Sequence, residues 1–352
     1  MTKRIEWVDL TRASAILLVV LCHASHGIYQ ISDINFMENL TVTSQLSGIL
    51  MYSAGRIAVP LFLMISGYLL LKRHYDSQKT LNFWSKNCKH LFICCVIWCV
   101  IYEIFEIWVT HNITNPADAI AGILFLKPLT LANYWFIPLI IGLYVLIPFV
   151  SKALEGYDLK VIIKPVMFFT LLAFIAPFII SILKIWGIKG LELQISLGFS
   201  GGMFGIYMVI GYLVKRNYFK KIKSKTLILT FIASFAAMII IQMIFIKKGM
   251  IYTLWYDSVF LLVSSVSLFE LASRLRRVRF YRAVYFLSKY SFAVYLIHIL
   301  LRNSLLPHIQ NLPLNNPLKV IILFVTVAIS SYILAAIIAK IPYIGKYILY
   351  IR

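Results

Sequence analysis

The chain contains a series of apolar runs, each close to the roughly 20 residues that an α-helix needs to cross the hydrocarbon core of a bilayer. Hydrophobic residues make up 61% of its 352 residues and charged residues only 13%, which excludes an ordinary soluble domain. The sequence therefore predicts an all-α polytopic integral membrane protein. We place about ten transmembrane helices at residues 13–31, 46–71, 89–109, 134–151, 163–183, 198–214, 226–246, 253–272, 284–302 and 318–340.

Basic residues are concentrated in the loops on one side of this arrangement. Most of the 34 Lys and Arg residues lie there, and the strongest blocks are "KRNYFKKIKSK" (215–225) and "RLRRVRFYR" (274–282). The bias predicts that both termini are cytoplasmic. Both blocks are typical of a stop signal facing anionic lipid, although they can also attract a polyanion from the cytosol. The net charge of +21 is thus a topology signal, and we expect no nucleic-acid partner.

The loops are too short to hold a separate soluble domain, so we expect one transmembrane domain over residues 1–352. Residues 115–133 are predicted to form a short interfacial helix on the outer side. Two turn-rich outer segments, 184–198 and 302–317, are expected to cover or line an outward-facing cavity.

The first span carries ionisable residues on one face. Arg12 and His23 are eleven residues apart, which is about 16 Å along a helix and about 20° from being in line. Asp9 and His26 each lie one helical turn further out. An ionisable group inside a membrane is costly and therefore often functional. The alternative is that Arg12 is a topological anchor and His23 a hydrogen-bonded packing residue.

Arg56 lies deep in the second span, four residues before Pro60, which is expected to kink the helix. Such an arginine must face a cavity or an acid, and Glu103 and Glu106 of the third span are available as acidic partners. A purely structural ion pair is the alternative. Ser66 lies on a small surface where a ligand or another backbone can approach closely.

The ninth span carries polar residues at alternating spacings of three and four, which form one stripe about 80° wide. They are Ser288, Ser291, Tyr295, His298 and Arg302. Such a stripe usually faces water or substrate, although interhelical hydrogen bonds are an alternative. Trp135 is interpreted either as an interface aromatic or as a surface for sugar stacking. No metal-ligand spacing is present, and His23 with His26 alone provides too few ligands, so we predict no metal.

Four segments together resemble the membrane acyltransferase-3 family. "WVDLTRASAILLVVLCH" (7–23) is similar to its first-span motif and "GRIAVPLFLMISGYLL" (55–70) to its second. "NYWFIPLIIGLYVLIPFV" (133–150) and "SKYSFAVYLIH" (288–298) look like its fourth and ninth spans. The resemblance follows the family order over essentially the whole chain. It is closest to the enterobacterial common antigen O-acetyltransferase type, which carries no appended soluble domain.

The resemblance implies transfer of an acetyl group from cytosolic acetyl-CoA to a hydroxyl of an extracytoplasmic or lipid-linked glycan. His23 would be the catalytic histidine and Arg12 its paired residue, in contact with CoA. His23 would act as general base or would carry the acetyl group transiently. Arg56 would stabilise an oxyanion or bind an acidic sugar, and His298 would align the acceptor.

The resemblance also implies a multi-pass protein of the bacterial cytoplasmic membrane, with acetyl-CoA as co-substrate and no permanently bound cofactor. No oligomeric state follows from the sequence. A transporter or flippase for a polysaccharide or its lipid-linked unit is the main alternative, with Arg56 and the ninth-span stripe lining its path. A succinyltransferase is a further alternative, which would change only the donor pocket.

Overall fold

The computed structural model describes residues 4–110, 121, 135–188, 202–252, 254–341 and 344–350, with only the backbone at 109, 110, 344 and 346. These residues form helices and no strand. The first eight helices are α1 (Glu6–Tyr29), α2 (Ile34–Glu38), α3 (Val42–Arg56), α4 (Ala58–Leu70), α5 (Ser77–Phe83), α6 (His90–Thr110), α7 (Phe136–Glu155) and α8 (Leu159–Thr170). The others are α9 (Ala176–Ile185), α10 (Gly202–Lys215), α11 (Ser224–Lys247), α12 (Val259–Ser273), α13 (Tyr281–Gln310), α14 (Asn316–Ile338) and α15 (Ile344–Ile348). The π-helical turns Trp84–Lys89 and Leu171–Ile175 join α5 to α6 and α8 to α9.

Eight of the described helical segments are long and apolar enough to cross a membrane. They are Glu6–Tyr29, Val42–Leu70, Ser77–Trp108, Phe136–Glu155, Leu159–Ile185, Ser224–Lys247, Tyr281–Gln310 and Asn316–Ile338. The predicted sixth and eighth spans correspond to α10 and α12, apolar helices of only 14 and 15 residues. The all-helical polytopic class is therefore confirmed, whereas the count of about ten and the side of the termini stay predictions.

The predicted eighth span began too early. Leu254, Trp255 and Tyr256 have the hydropathy of a span, but they lie in the loop that precedes α12. Leu254 and Tyr256 are buried there, because the loop packs into the bundle and does not face lipid. A hydropathy pattern cannot distinguish these two apolar environments.

The ninth span is longer than predicted, because α13 continues to Gln310 through residues interpreted as a turn. Pro307 cannot donate a hydrogen bond to the carbonyl of Asn303 and its ring crowds that carbonyl, yet the helix continues for a further turn and ends at Gln310. Ile309, which is buried, anchors the extension. Residues 115–120, 122–133 and 189–198, for which we predicted outer segments, lie outside the described residues.

Helix α1 lies at the centre of the bundle and contacts α3, α4, α12, α13 and α14. Its closest approach to α3 depends on glycine. A Cβ on Gly48 would collide with the Tyr29 ring, and a Cβ on Gly55 would collide with Cys22. These glycines are seven residues apart, so they lie on one face of α3. They let the two helices pack closely along about two turns.

The chain breaks its helix at Ile57, between α3 and α4. Pro60 has no N–H to donate to the carbonyl of Arg56, so the regular hydrogen-bond ladder is interrupted at this point. The predicted interruption is present, and it leaves Arg56 as the last residue of α3, in the interior of the protein.

Helices α4 and α10 cross at reciprocal glycines. A Cβ on Gly67 would overlap the carbonyl oxygen of Met208, and one on Gly211 would overlap that of Met64. We therefore expect Gly67→Ala to destabilise the protein by about 1–3 kcal/mol, because the helices must separate. Gly142→Ala is the matched control, since nothing lies within 4 Å of its added methyl group. Thermal unfolding in detergent measures both, and equal stability of the two variants would contradict this account of the crossing.

Candidate active site

A cavity of about 410 Å³ lies between α1, α4, α7 and α13. Among the described residues that line it, four are cationic and none is acidic. The cationic residues are Arg4, Arg12, Arg73 and Lys289. Val19, Phe136 and Tyr295 line its inner part, and Val19 lies about 10 Å along α1 from Arg12. We call this space the basic cavity, because it connects a group of cations with the interior of the bundle.

Arg12 is positioned by a buried carboxylate. Asp9 accepts hydrogen bonds from Ser288 Oγ and from Tyr281 Oη, both at 2.7 Å. Arg12 Nη1 lies 3.5 Å from Asp9 Oδ1 and 3.4 Å from Ser288 Oγ, and 30% of the Arg12 side chain is exposed. The hydroxyl groups thus hold Asp9 in place. Arg12 is tethered only loosely and keeps donors available to the cavity.

Polar residues of α4 and α13 continue along the cavity wall. Ser66 Oγ lies 3.3 Å from Tyr144 Oη and donates to the carbonyl of Phe62 at 3.1 Å. Ser288 and Ser291 line the same wall. The structure therefore places Ser66 and the first part of the predicted α13 stripe at one cavity.

His23 and His298 form a pair just beyond the inner end of the basic cavity. Their ring centroids are 5.2 Å apart. Val19 precedes His23 by one helical turn, and the ring of Tyr295 lies 5.8 Å from that of His298. Two residues from distant parts of the sequence are thus brought together where the cavity ends.

The two imidazoles differ in how they are held. His298 Nδ1 lies 2.7 Å from the Tyr295 carbonyl and 3.1 Å from that of Val294. Carbonyl oxygens only accept, so Nδ1 carries a proton, and the neutral ring has its lone pair on Nε2. That Nε2 is buried without a partner. His23 is partly exposed and makes no hydrogen bond within the described part of the chain, so its nitrogens are available to a ligand.

His26 and Arg302 lie on the other side of this pair from the basic cavity. His26 Nε2 contacts Ser32 Oγ at 3.2 Å. Arg302 packs against Gly27, where an added Cβ would lie 2.6 Å from Nη2, and its Nη1 donates to Asn303 Oδ1 at 2.8 Å. Arg302 therefore borders the histidine pair, whereas His26 is turned toward the chain that follows α1.

Arg56 is surrounded by aromatic rings, and of the two options for it, a cavity or an acid, the described structure shows no ion pair with Glu103 or Glu106. Its guanidinium carbon lies 4.0 Å from the ring centre of Tyr256, 4.8 Å from that of Trp255 and 5.6 Å from that of Tyr52. No acidic residue of the described chain makes an ion pair with it. The prediction considered only neighbouring spans and could not foresee that a loop enters the bundle.

Trp135, at the start of α7, belongs to an aromatic cluster next to Arg56. Its ring lies 5.3 Å from Tyr256, 5.4 Å from Trp255 and 5.5 Å from Phe204. We call these four residues the aromatic cluster. They come from three separate stretches of the sequence, which is why inspection of the sequence found only Trp135.

Several residues of the site were missed from the sequence. Arg4, Arg73 and Lys289 were counted only among the basic loops, and Tyr281 was not singled out. Basic character at the helix ends was the available signal, but it does not distinguish a cavity wall from a lipid-facing surface. Among the described residues, no group of three or more His, Cys, Asp or Glu side chains is placed to hold a metal ion.

Comparison with known proteins gives one match. A family model described as an acyltransferase domain, that of acyltransferase-3 proteins, matches residues 5–336, which is nearly the whole chain. No curated protein and no solved structure matches.

Proposed function

Because the chain belongs to the acyltransferase-3 family, we propose that this membrane acyltransferase is an O-acetyltransferase using acetyl-CoA and a glycan hydroxyl. The observation that carries the proposal is the basic cavity, which runs from a group of cations to Val19 and Tyr295, about one helical turn short of the His23–His298 pair. Its acceptor is an extracytoplasmic or lipid-linked glycan, as in the enterobacterial common antigen O-acetyltransferase type. The protein acts in the bacterial cytoplasmic membrane, with both termini in the cytosol.

Acetyl-CoA matches the cavity in its charge distribution. Its nucleotide end carries several phosphate negative charges, and arginine is well suited to bind phosphate through charge-assisted hydrogen bonds. Arg4, Arg12, Arg73 and Lys289 provide complementary charge at the cytosolic end. The pantetheine arm is uncharged, and it fits the inner cavity, where Val19 and Phe136 are apolar. The thioester would then reach the neighbourhood of His23.

His23 is the proposed general base. As the glycan oxygen attacks the thioester carbonyl and a C–O bond forms, the single hydroxyl proton moves to an unprotonated ring nitrogen of His23. The C–S bond then breaks, and the CoA thiolate receives that proton. His23 suits this role because it is partly exposed and its nitrogens make no competing hydrogen bond in the described part of the protein. A two-step route through acetyl-His23 uses the same geometry.

His298 is proposed to orient the reacting groups. Its Nδ1 proton is bonded to the backbone, so Nε2 can accept a hydrogen bond from one ring nitrogen of His23, and the other His23 nitrogen then stays unprotonated. It is a positioning residue in this scheme, because the backbone contacts fix its ring. Arg302 lies beside the pair and adds positive charge near the developing oxyanion.

The proposal is tested by following labelled acetyl from acetyl-CoA in membrane vesicles with the protein present or absent. Host surface glycans and lipid-linked glycans serve as acceptors, and labelled succinyl-CoA is the parallel donor. We expect label on glycan only with the protein and acetyl-CoA. Transfer from succinyl-CoA alone would reassign the donor. Movement of unmodified glycan across the membrane without any transfer would instead support a transporter.

A further inference from the structure

Arg56 is a buried cation whose hydrogen-bonding capacity is not used. Its side chain is only 7% exposed, and Nε and Nη2 are buried without a hydrogen-bond partner in the described residues. Burying a charged group is costly unless it is paired and hydrogen-bonded. A site that keeps such a group is expected to use it for a ligand inside the membrane.

Within the described residues, the immediate surroundings of Arg56 provide π-electron faces but no ion-paired carboxylate. Tyr256, Trp255 and Tyr52 attract the guanidinium through their ring faces. The Cys22 thiol also contacts it. Asp257 is close enough to interact electrostatically, but it makes no ion pair with Arg56 in the described structure. The planar fork of arginine is suited to a carboxylate or a phosphate, which can accept two parallel hydrogen bonds.

The position of Arg56 indicates that its ligand is a group of the acceptor and not the reacting thioester. Arg56 does not line the basic cavity, whereas Val59, three residues later, does. Its neighbours belong to the aromatic cluster, in which Trp255 is 37% exposed. A tryptophan face provides a flat apolar surface of the size of a sugar ring, with a polar edge. The cation and this surface together suit a sugar that bears a negative charge.

We propose that Arg56 and the aromatic cluster form a subsite for an acidic sugar of the acceptor glycan. Arg56 binds the carboxylate or phosphate, and the exposed face of Trp255 packs against the ring. This inference rests on the proposed function, because it assigns the chemical class of the acceptor. It also gives a reason why the chain keeps a charged residue at the break between α3 and α4.

The test is direct binding, measured by equilibrium dialysis with the full chain in lipid nanodiscs. One probe is a labelled oligosaccharide that contains glucuronic acid, and the second is its carboxyl-reduced form, which has the same rings without the charge. A third probe, a glycosyl phosphate, distinguishes phosphate from carboxylate. We expect at least one anionic probe to bind about tenfold more tightly than the reduced oligosaccharide, as one charge-assisted interaction predicts.

Variants separate this role from a structural one. Arg56→Gln is expected to reduce the preference for the anionic probe to less than about twofold, and Arg56→Lys to keep part of it. Trp255→Leu should weaken acidic and reduced oligosaccharides alike, because it removes the ring surface but not the charge. A thermal unfolding midpoint in detergent close to that of the unchanged protein identifies folded variants, whether or not the protein binds acetyl-CoA.

Equal binding of the charged and reduced probes by the unchanged protein would overturn the proposal, as would a preference that persists in Arg56→Gln. The proposal would also be overturned if neither anionic probe bound a protein that still binds acetyl-CoA. Acidic-sugar preference without any acetyl transfer would support the subsite and contradict the transferase. Acetyl transfer without that preference would support the transferase and contradict the subsite, so the two proposals can fail separately.

Discussion

His23→Ala is expected to lower the rate of acetyl transfer about 10²- to 10⁴-fold, which is the usual contribution of a positioned general base. The protein should remain folded, because His23 has no hydrogen-bond partner among the described residues that its removal would leave unsatisfied. The rate is measured as initial transfer of labelled acetyl to glycan in vesicles. His308→Ala, at an exposed histidine of α13, is the matched control and should keep nearly full activity.

Trapping of an acetyl-protein intermediate distinguishes the two chemical routes. Rapid denaturation of the unchanged protein at neutral pH during turnover should leave labelled acetyl on it if His23 carries the group, and none if His23 acts only as a base. His23→Gln can still donate or accept a hydrogen bond but cannot accept a proton near neutral pH. A rate for His23→Gln within threefold of the unchanged protein would exclude both roles.

The first and ninth spans show what a helical pattern can predict. The spacing of Arg12 and His23 placed them on one face of α1, and the structure puts one at the basic cavity and the other just beyond it. The spacing of Ser288 and Tyr295 likewise placed them on a stripe that lines the same cavity. These relations depend only on helical periodicity, which the sequence contains directly.

Contacts between segments that are distant in the sequence could not be predicted from the sequence. Arg56 was expected to face a cavity or an acid, but the aromatic neighbours Trp255 and Tyr256, which the loop before α12 supplies, were not foreseen. The 5.2 Å contact between His23 and His298 likewise depends on how α1 and α13 cross. Helix crossings are set by packing along whole surfaces, including glycine contacts such as Gly67 with Met208, and a single sequence does not reveal their partners.

Arg12→Gln is expected to raise the KM for acetyl-CoA about 10- to 100-fold and to change kcat much less. A hydrogen bond to a charged group contributes about 1.5–3 kcal/mol, which corresponds to that range of affinity. Arg4, Arg73 and Lys289 remain in the basic cavity, so binding should be weakened and not abolished. The matched control is Arg282→Gln, an exposed arginine of α13 that does not line the cavity.

Comparison of two donors shows whether Arg12 acts on the phosphates. Acetyl-pantetheine has the thioester but no phosphate, so its KM should be the same for the unchanged protein and for the Arg12→Gln variant. If Arg12→Gln raises the KM of both donors equally, Arg12 acts through the geometry of α1 and not through its charge. Its contacts with Asp9 and Ser288 would then be its main role. If the substitution raises the KM of acetyl-CoA alone, the cationic end of the basic cavity recognises the nucleotide. The distance of about 16 Å between Arg12 and His23 is then the distance that the uncharged pantetheine arm must cover.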